Sequence, residues 1–476
     1  MKLLVFAVDA ADPKILFDHL HEFPNFARLA REGSTGKLEG YCLGYGSYDN
    51  WATIYTGLPP REHGVLRRSG NSPECPTIAD IEPHDPLWRA LNRNGITAAF
   101  VRGMMMNPPP CIDGWVMGGD PEFLDKTAST RYPTFSPKDA HLADLIGGEF
   151  ERPFRAPYLE ELGGDWEQAL SDPAAIGRVM PGDYFAKFLE YVKAEADYYV
   201  DATLRLQSHQ PTEFLFFFLG SMDVLQHFQM HEKGWDTIRQ GYKIVDDALG
   251  VLLRELEPEN VMAMSDHGQE PWHMMFPDTP LDVQGEAFGW PVRTWLPDGT
   301  ILCKGTSGVL SAAHCVNGVL ICSGPEFARG APIAGYRVLD IYPTLLEFFG
   351  IDCDREGVVI PVFRDERTGR EPVTFTPEFA RIAVVQTREV NKTLVSVNEL
   401  WIRYRGCHIT VVGHERFRNT FLYDPRVDDF LDLDSLAVTW DSYHPSQAGE
   451  LRRRLGDFDL VVLPLSDAGD LKELWL

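Results

Sequence analysis

Short, uninterrupted apolar runs alternate along this chain with stripes of apolar residues at helical spacing. Leu3–Val8 is apolar throughout, the pattern of a strand buried on both faces of a parallel sheet, and Asp9 ends it. Pro86–Arg93 reads as a helix that Asn94-Gly95 stops before the run Ile96–Val101. Phe185, Phe188, Leu189, Val192, Tyr199 and Val200 share one helical face, opened by Pro181 and Asp183, and lead into Phe214–Leu219. Ile238, Tyr242, Val245, Leu249, Leu252 and Leu256 repeat that arrangement ahead of Asn260–Met264. Gly318–Cys322 reads as a further strand, and Asp340–Phe349, stopped by Gly350, as a further helix. Repeated alternation of this kind predicts an α/β fold, a mostly parallel sheet sandwiched between helices.

Two stretches interrupt the alternation. Residues about 104–180 are rich in Pro, Gly and Asp, and residues about 270–313 carry Trp272, Phe276, Trp290 and Trp295 among turn formers. Both are expected to be insertions over the sheet edge, where lids and specificity walls are commonly built. The composition changes again at about 352. Charged, turn-rich sequence there precedes short β-like runs at Ile382–Gln386, Thr393–Val397 and Ile409–Val412 and a final strand at Leu460–Leu463. The expected division is a catalytic domain over 1–351 and a small α+β subdomain over 352–476.

Composition narrows the function. The 476 residues carry a net charge of −26, and 44% are hydrophobic, ordinary for a globular chain. A polyanion would meet a repulsive mean field, so no nucleic acid polymer is expected as partner. A small-molecule phosphate ester remains open to an acidic protein whose site holds cations. The longest dense apolar run, Phe214–Leu219, is far short of a membrane span, so no membrane partner is expected. The run Leu3–Val8 is too short for a signal sequence, and the 8 cysteines contain no CxxC pair, so a cytoplasmic location is expected.

The candidate chemistry lies where Asp and His fall relative to strand ends. Asp9 follows the first strand, Asp223 and His227 follow Phe214–Leu219, and Asp266-His267 follow Asn260–Met264. In an open α/β sheet these strand ends converge on one crevice. Three carboxylates meeting there need cations, and the accompanying imidazoles indicate a transition metal such as Zn²⁺ or Mn²⁺. His314 is placed to complete a second set of N/O ligands, and a pair of metals is a known device for phosphoryl transfer. Ser47 precedes a short helical run, Ala52–Thr56, where free N–H groups and the helix dipole favour an alkoxide and a phosphate. Asn50 is placed to donate its amide to a non-bridging oxygen. Tyr48 and Trp51 suit either base stacking or the core, and His63, in a Pro60-x-x-His63-Gly64 turn, suits a structural hydrogen bond.

Taken in order, Val8-Asp9, Ser47-x-x-Asn50, Thr56-Gly57-x-x-Pro60-x-x-His63-Gly64, Asp223-x-x-x-His227, Ser265-Asp266-His267-Gly268 and the late His314 resemble the alkaline phosphatase superfamily. Within it the chain is most similar to the type I phosphodiesterase/nucleotide pyrophosphatase family. The resemblance implies an alkaline-phosphatase-like fold and two divalent ions. Asp223, His227 and His314 would hold one, and Asp9, Asp266, His267 and the Ser47 hydroxyl the other. It further implies hydrolysis of a phosphodiester or nucleotide-type pyrophosphate through a covalent Ser47 intermediate, with Tyr48 and Asn50 contacting substrate. Such members usually carry Thr where Ser47 stands, followed by an aromatic residue and Pro; here Tyr48 keeps the aromatic and Asp49 replaces Pro. The C/S-x-P-x-R pattern of sulfatases is absent at Ser47-Tyr-Asp-Asn-Trp51. The alternatives are a phosphomonoesterase or phosphonoacetate-type C–P hydrolase on the same fold, and a catalytically silent metal- or phosphate-binding protein.

Overall fold

A computed structural model describes residues 1–41, 47–65, 77–118, 133–146, 148, 184–230, 234–271, 293–295, 301–305, 308–310, 312–364, 379–386, 390–404, 406–422, 426–436, 453–467 and 470–475. The first seven strands in chain order are β1 (Leu3–Val8), β2 (Ser34–Glu39), β3 (Ala98–Val101), β4 (Gly114–Gly118), β5 (Thr134–Phe135), β6 (Phe214–Leu219) and β7 (Asn260–Met264). They are followed by β8 (Gly268–Pro271), β9 (Arg293–Trp295), β10 (Ile301–Gly305), β11 (Gly308–Leu310), β12 (Ala312–Cys315), β13 (Asn317–Ser323) and β14 (Ile333–Arg337). Nine of these form one sheet in the order β14-β2-β13-β7-β1-β6-β3-β4-β5. Its centre, from β7 to β4, is parallel; β13 runs antiparallel to both neighbours and β5 antiparallel to β4.

β1 lies at the middle of the nine-stranded sheet, and its register sets the site. Val8 pairs with Leu219 and Ala7 with Met264, so Asp9 and the segments after β6 and β7 leave the sheet at one level. Alternate residues serve opposite faces, as a pleated strand requires. Leu3, Val5 and Ala7 join a core with Trp51, Trp88 and Leu345, whereas Leu4, Phe6 and Val8 join one with Phe26, Tyr199 and Leu249. Helices therefore cover both faces. Ser47–Thr56, Leu87–Arg93 and Ile341–Phe348 lie on one side, and Pro24–Glu32, Tyr184–His209 and Trp235–Leu256 on the other. Among the described residues no helix is long and apolar enough to cross a membrane.

The expected sandwich is present, with amendments. Residues 104–180 do not only overlie the sheet edge: β4 is a parallel strand of the sheet itself, and β5 extends it. Much of the remainder of that stretch lies outside the described residues, as do Trp272, Phe276 and Trp290. The 270–313 excursion carries its own small sheets, β11-β10-β9 and the pair β12-β8.

The C-terminal unit is a separate sheet of β15 (Arg381–Val385), β16 (His408–Gly413), β17 (Asp429–Asp432), β18 (Leu460–Asp467) and β19 (Asp470–Trp475). Its order is β17-β16-β15-β18-β19, parallel except for β19, so its connections are α/β rather than α+β. Thr393–Val397, expected as β-like, lies inside the helix Val390–Arg403. Val390, Leu394, Val397 and Leu400 fall on one helical face and pack on the small sheet, a periodicity that the β-branched residues disguise. The core also changes later than residue 352, because Ile360, Val362 and Phe363 still belong to the large domain.

Candidate active site

Ser47 is the first residue of the helix Ser47–Thr56. It is 8% exposed, and its Oγ lies 3.0 Å from His267 Nε2. The helix is held from behind by Trp51, whose ring packs edge-on to Phe218 of β6, and by His63. His63 Nδ1 accepts the Val65 N–H, leaving Nε2, which then carries the proton, 3.1 Å from Thr53 Oγ1. Burial, foremost, pushes its pKa down to about 3, so the ring is neutral and structural. Trp51 is likewise core, while Tyr48 is half-buried at the core margin. Asn50 is fully buried beside Gly40, and its amide is engaged at both ends: Oδ1 accepts from Tyr41 N at 2.7 Å, and Nδ2 donates to Tyr41 O at 3.1 Å. In this structure Asn50 therefore clamps the backbone of Tyr41, two residues beyond β2, rather than presenting a free donor.

An inner cluster gathers around His267. Its Nε2 is 3.3 Å from Asp266 Oδ2 and 3.6 Å from Asp9 Oδ1, and all three residues are fully buried. Asp9 is fixed by its N–H to Leu219 O, at 2.9 Å, which continues the ladder one residue beyond the strand. The next residue, Ala10, turns the chain with φ of 58°, a left-handed conformation that costs a non-glycine residue roughly 1–2 kcal/mol. An outer cluster gathers around Asp223, on the helix Ser221–Gln229. Asp223 Oδ1 is 3.3 Å from His227 Nε2, four residues on, and 3.1 Å from His314 Nε2, which arrives on β12. The two Nε2 atoms are 3.0 Å apart, and the His267 and His314 rings stack with centroids 3.8 Å apart. His267 thus borders both clusters.

Donor chemistry tests whether cations fit here. His227 Nδ1 lies 3.0 Å from Ala312 O, and His267 Nδ1 lies 3.0 Å from Gly268 O. A carbonyl only accepts, so both Nδ1 atoms carry the proton and both Nε2 atoms turn a lone pair into the site. Carboxylate oxygens and imidazole lone pairs then converge on one another, with Asp223 Oδ1 and Asp266 Oδ2 buried and without a hydrogen-bond donor. Two ligands about 2.05 Å from a tetrahedral ion lie roughly 3.3 Å apart, close to the spacings found. The residues fit divalent metal ions, and Asp9, Asp266 and His267 on one side and Asp223, His267 and His314 on the other each bring their ligand atoms within 4.8 Å of one another. With no ion, burial pushes Asp266 up to about 8, the Asp223 charge adding to it. Burial also holds His267 well below the usual imidazole range. For Asp223 burial acts upward, and the charges of His227 and His314, when protonated, overcome it and hold the carboxyl well below its ordinary value.

All six expected ligands, with Ser47, meet at the level of the β1, β6 and β7 ends. Beneath the ligands runs a polar layer that the strand-end pattern does not announce. Gln226 donates to Ala10 O at 2.8 Å, Tyr242 donates to Gln226 Oε1 at 3.1 Å and accepts from Asp12 N at 2.7 Å, and Asp12 Oδ2 accepts from Gln269 N at 3.3 Å. Asp12 was legible in one respect: Asp12-Pro13 is a helix-start pair, and Asp12 does cap Pro13–Asp18.

The type I phosphodiesterase / nucleotide pyrophosphatase family matches this sequence over residues 3–313. The chain belongs to that family. The matched span includes the whole inner cluster and all of the outer one except His314, which lies one residue beyond it. As a phosphodiesterase/nucleotide pyrophosphatase-family hydrolase, the protein is an enzyme of phosphodiester hydrolysis, in a family typically dependent on divalent metals. Among solved structures it is similar to murine ectonucleotide pyrophosphatase/phosphodiesterase 5 at 14% identity, and to an inactive variant of that protein in complex with AMP at 15%. Each match covers 75% of this chain and 97% of the other, with a TM-score of 0.40. No curated protein matches the chain.

Proposed function

We propose that this family member hydrolyses a small phosphodiester or nucleotide-type pyrophosphate in two displacements through a covalent Ser47 intermediate, with two divalent ions, Zn²⁺ or Mn²⁺, resident in the site. The observation that carries the reading is Ser47 Oγ, at a helix N-terminus, 3.0 Å from a lone pair of His267 that also faces Asp9 and Asp266. Asp223, His227 and His314 would hold one ion, and Asp9, Asp266, His267 and Ser47 Oγ the other. When bound, the ions lower the pKa of the serine hydroxyl and neutralise charge on the phosphoryl oxygens.

Ser47 supplies the nucleophile. Its Oγ–P bond forms as the bond from phosphorus to the leaving oxygen breaks in line, and the leaving group departs as an alcohol or nucleotide. The first-turn N–H groups of Ser47–Thr56 face the phosphoryl oxygens that gain charge. Water then attacks phosphorus from the vacated side, the Oγ–P bond breaks, and the serine hydroxyl is regenerated with release of the phosphomonoester.

A diester is favoured over a monoester by the distribution of cations. No Lys or Arg lies between residues 38 and 60, and Arg102, a cation from the adjoining loop, is buried against Glu195 instead. The test is metal analysis of the purified chain, with intact-mass trapping of a nucleotidyl adduct on a chromogenic nucleotide diester. A +nucleotidyl mass that maps to Ser47 and disappears in Ser47→Ala supports the reading. An active, adduct-free enzyme whose Ser47→Ala variant keeps its turnover overturns it.

A further inference from the structure

A buried ion pair stands behind the helix that carries Asp223 and His227, and none of the steps above uses it. Arg102 and Glu195 are 2% and 0% exposed, with Arg102 Nη1 2.6 Å from Glu195 Oε1. The second carboxylate oxygen, Glu195 Oε2, accepts the N–H of Ser221 at 3.0 Å, two residues before Asp223. The helix Ser221–Gln229 follows Gly220, which has no side chain to cap its free N–H groups. Glu195 supplies that acceptor from another helix, Tyr184–His209. Arg102 Nη2 also donates to Tyr191 Oη at 3.1 Å, one turn before Glu195 on the same helix.

A buried ion pair is in itself weak evidence of a stabilising role. Drying a charged pair is costly, and well-packed apolar residues of similar volume in its place are commonly neutral or stabilising. Arg102 also holds φ of 56°, where glycine would be unstrained. An arginine kept in a left-handed conformation, aimed at a dry carboxylate, is spent on placing that carboxylate. The requirement is evident on the other side of the cluster. His314 comes from β12, which pairs with β8 outside the main sheet and meets the Ser221–Gln229 helix through His227 Nδ1 and Ala312 O, so His314 and Asp223 keep their geometry only if strand and helix are each held to within about 0.5 Å.

We propose that Arg102 and Glu195 are positioning residues for the outer metal-ligand cluster. Arg102 fixes the Glu195 carboxylate, Glu195 pins the first turn through Ser221, and the turn sets where Asp223 and His227 stand relative to His314. The inference rests on the reading of Asp223, His227 and His314 as ligands, and the test separates the two.

The full chain is prepared as wild type, Glu195→Gln, Arg102→Lys, Arg102→Met and Asp223→Asn. Each is measured for Zn²⁺ affinity against a chromogenic chelator, for kcat and KM on bis-p-nitrophenyl phosphate, and for near-UV circular dichroism. Partners behind a ligand typically contribute 10–100-fold in metal affinity, so Glu195→Gln and Arg102→Met should lose one ion roughly 10–100-fold more readily. Their kcat should fall more than KM changes, excess Zn²⁺ should restore most of it, and Arg102→Lys should lie between Arg102→Met and wild type. Wild-type affinity for both ions in Glu195→Gln and Arg102→Met, alongside loss of one in Asp223→Asn, overturns the positioning role. Wild-type affinity in Asp223→Asn overturns the ligand reading instead. Should Glu195→Gln or Arg102→Met not fold, Arg102→Lys carries the test, since it keeps the charge and loses the planar fork; wild-type metal affinity in it overturns the proposal.

Discussion

The inner and outer clusters use the same residue types but are built from different kinds of element. Asp9 and Asp266 leave neighbouring parallel strands whose ladder sets their level, and no part of Asp9, Asp266 or His267 is exposed. Asp223 and His227 ride on a helix, His314 comes from a strand outside the main sheet, and the two histidine side chains are each 13% exposed. The inner cluster is placed by backbone hydrogen bonds, and its difficulty is charge: two dry carboxylates side by side. In the outer cluster one carboxylate faces two imidazoles, so its difficulty is placement. A cation relieves the first problem, and the supports behind the helix relieve the second.

The sharpest way to break this comparison is at Ser47, on which both of the proposed displacements depend. Ser47→Ala should lower kcat on a diester by roughly 10⁴-fold or more, as loss of a nucleophile does elsewhere, while most bound metal stays in place by elemental analysis. His267 borders both clusters and His227 only one. His267→Ala should therefore strip nearly all metal from the chain, whereas His227→Ala should strip about half, measured as metal per chain after dialysis. Equal losses would erase the distinction.

The charge difficulty has a pH signature. In chelated protein Asp266 is pushed up to about 8 by burial, against an ordinary carboxyl value of 3.8. The folded chain then holds a proton that the unfolded chain gives up, so this contribution to stability is complete below about pH 4 and is lost as pH rises through 8. The Tm of chelated protein should fall between pH 5 and 8.5, and metal loading or Asp266→Asn should flatten the slope. Parallel slopes with and without metal would remove the inner cluster as a cation site. The smallest expected effect concerns substrate. Bis-p-nitrophenyl phosphate should exceed p-nitrophenyl phosphate in kcat/KM by about tenfold, the equivalent of about 1.4 kcal/mol of charge discrimination. A monoester preference would indicate a cation in the pocket that neither Arg102 nor the 38–60 segment supplies.

The inner cluster was the more legible half of the site for the same reason that it is rigid. Strands buried on both faces read as continuous apolar runs, and the residue after each run is an Asp or leads to one, so Asp9 and Asp266 were readable as convergent. The β6 and β7 bounds emerge as the hydrophobic pattern draws them. What supports the outer cluster was hidden in helices. Glu195 occupies the stripe formed by Phe188, Val192 and Tyr199, where a charge among apolar positions is itself a signal. Its partner is 93 positions away and has no local pattern to betray it. β4 escaped because its glycines and the Pro-rich flanks weaken the strand signal, and the parallel C-terminal sheet because its crossover helix carries Val and Thr at helical spacing.

The central position of β1 also bears on how the chain comes together. Leu3 pairs with Phe214 on one side and with Asn260 on the other, so both edges of this six-residue apolar strand wait for partners more than two hundred positions downstream. During synthesis the segment is a sticky, unpaired ribbon for many seconds, of the type that seeds association between chains. Such long-range closure makes for slow folding. Refolding of the whole chain should accordingly lose yield steeply as protein concentration rises, and Val5→Lys, even if it reduced that self-association, would place a charge at the centre of the sheet that aligns the catalytic strand ends.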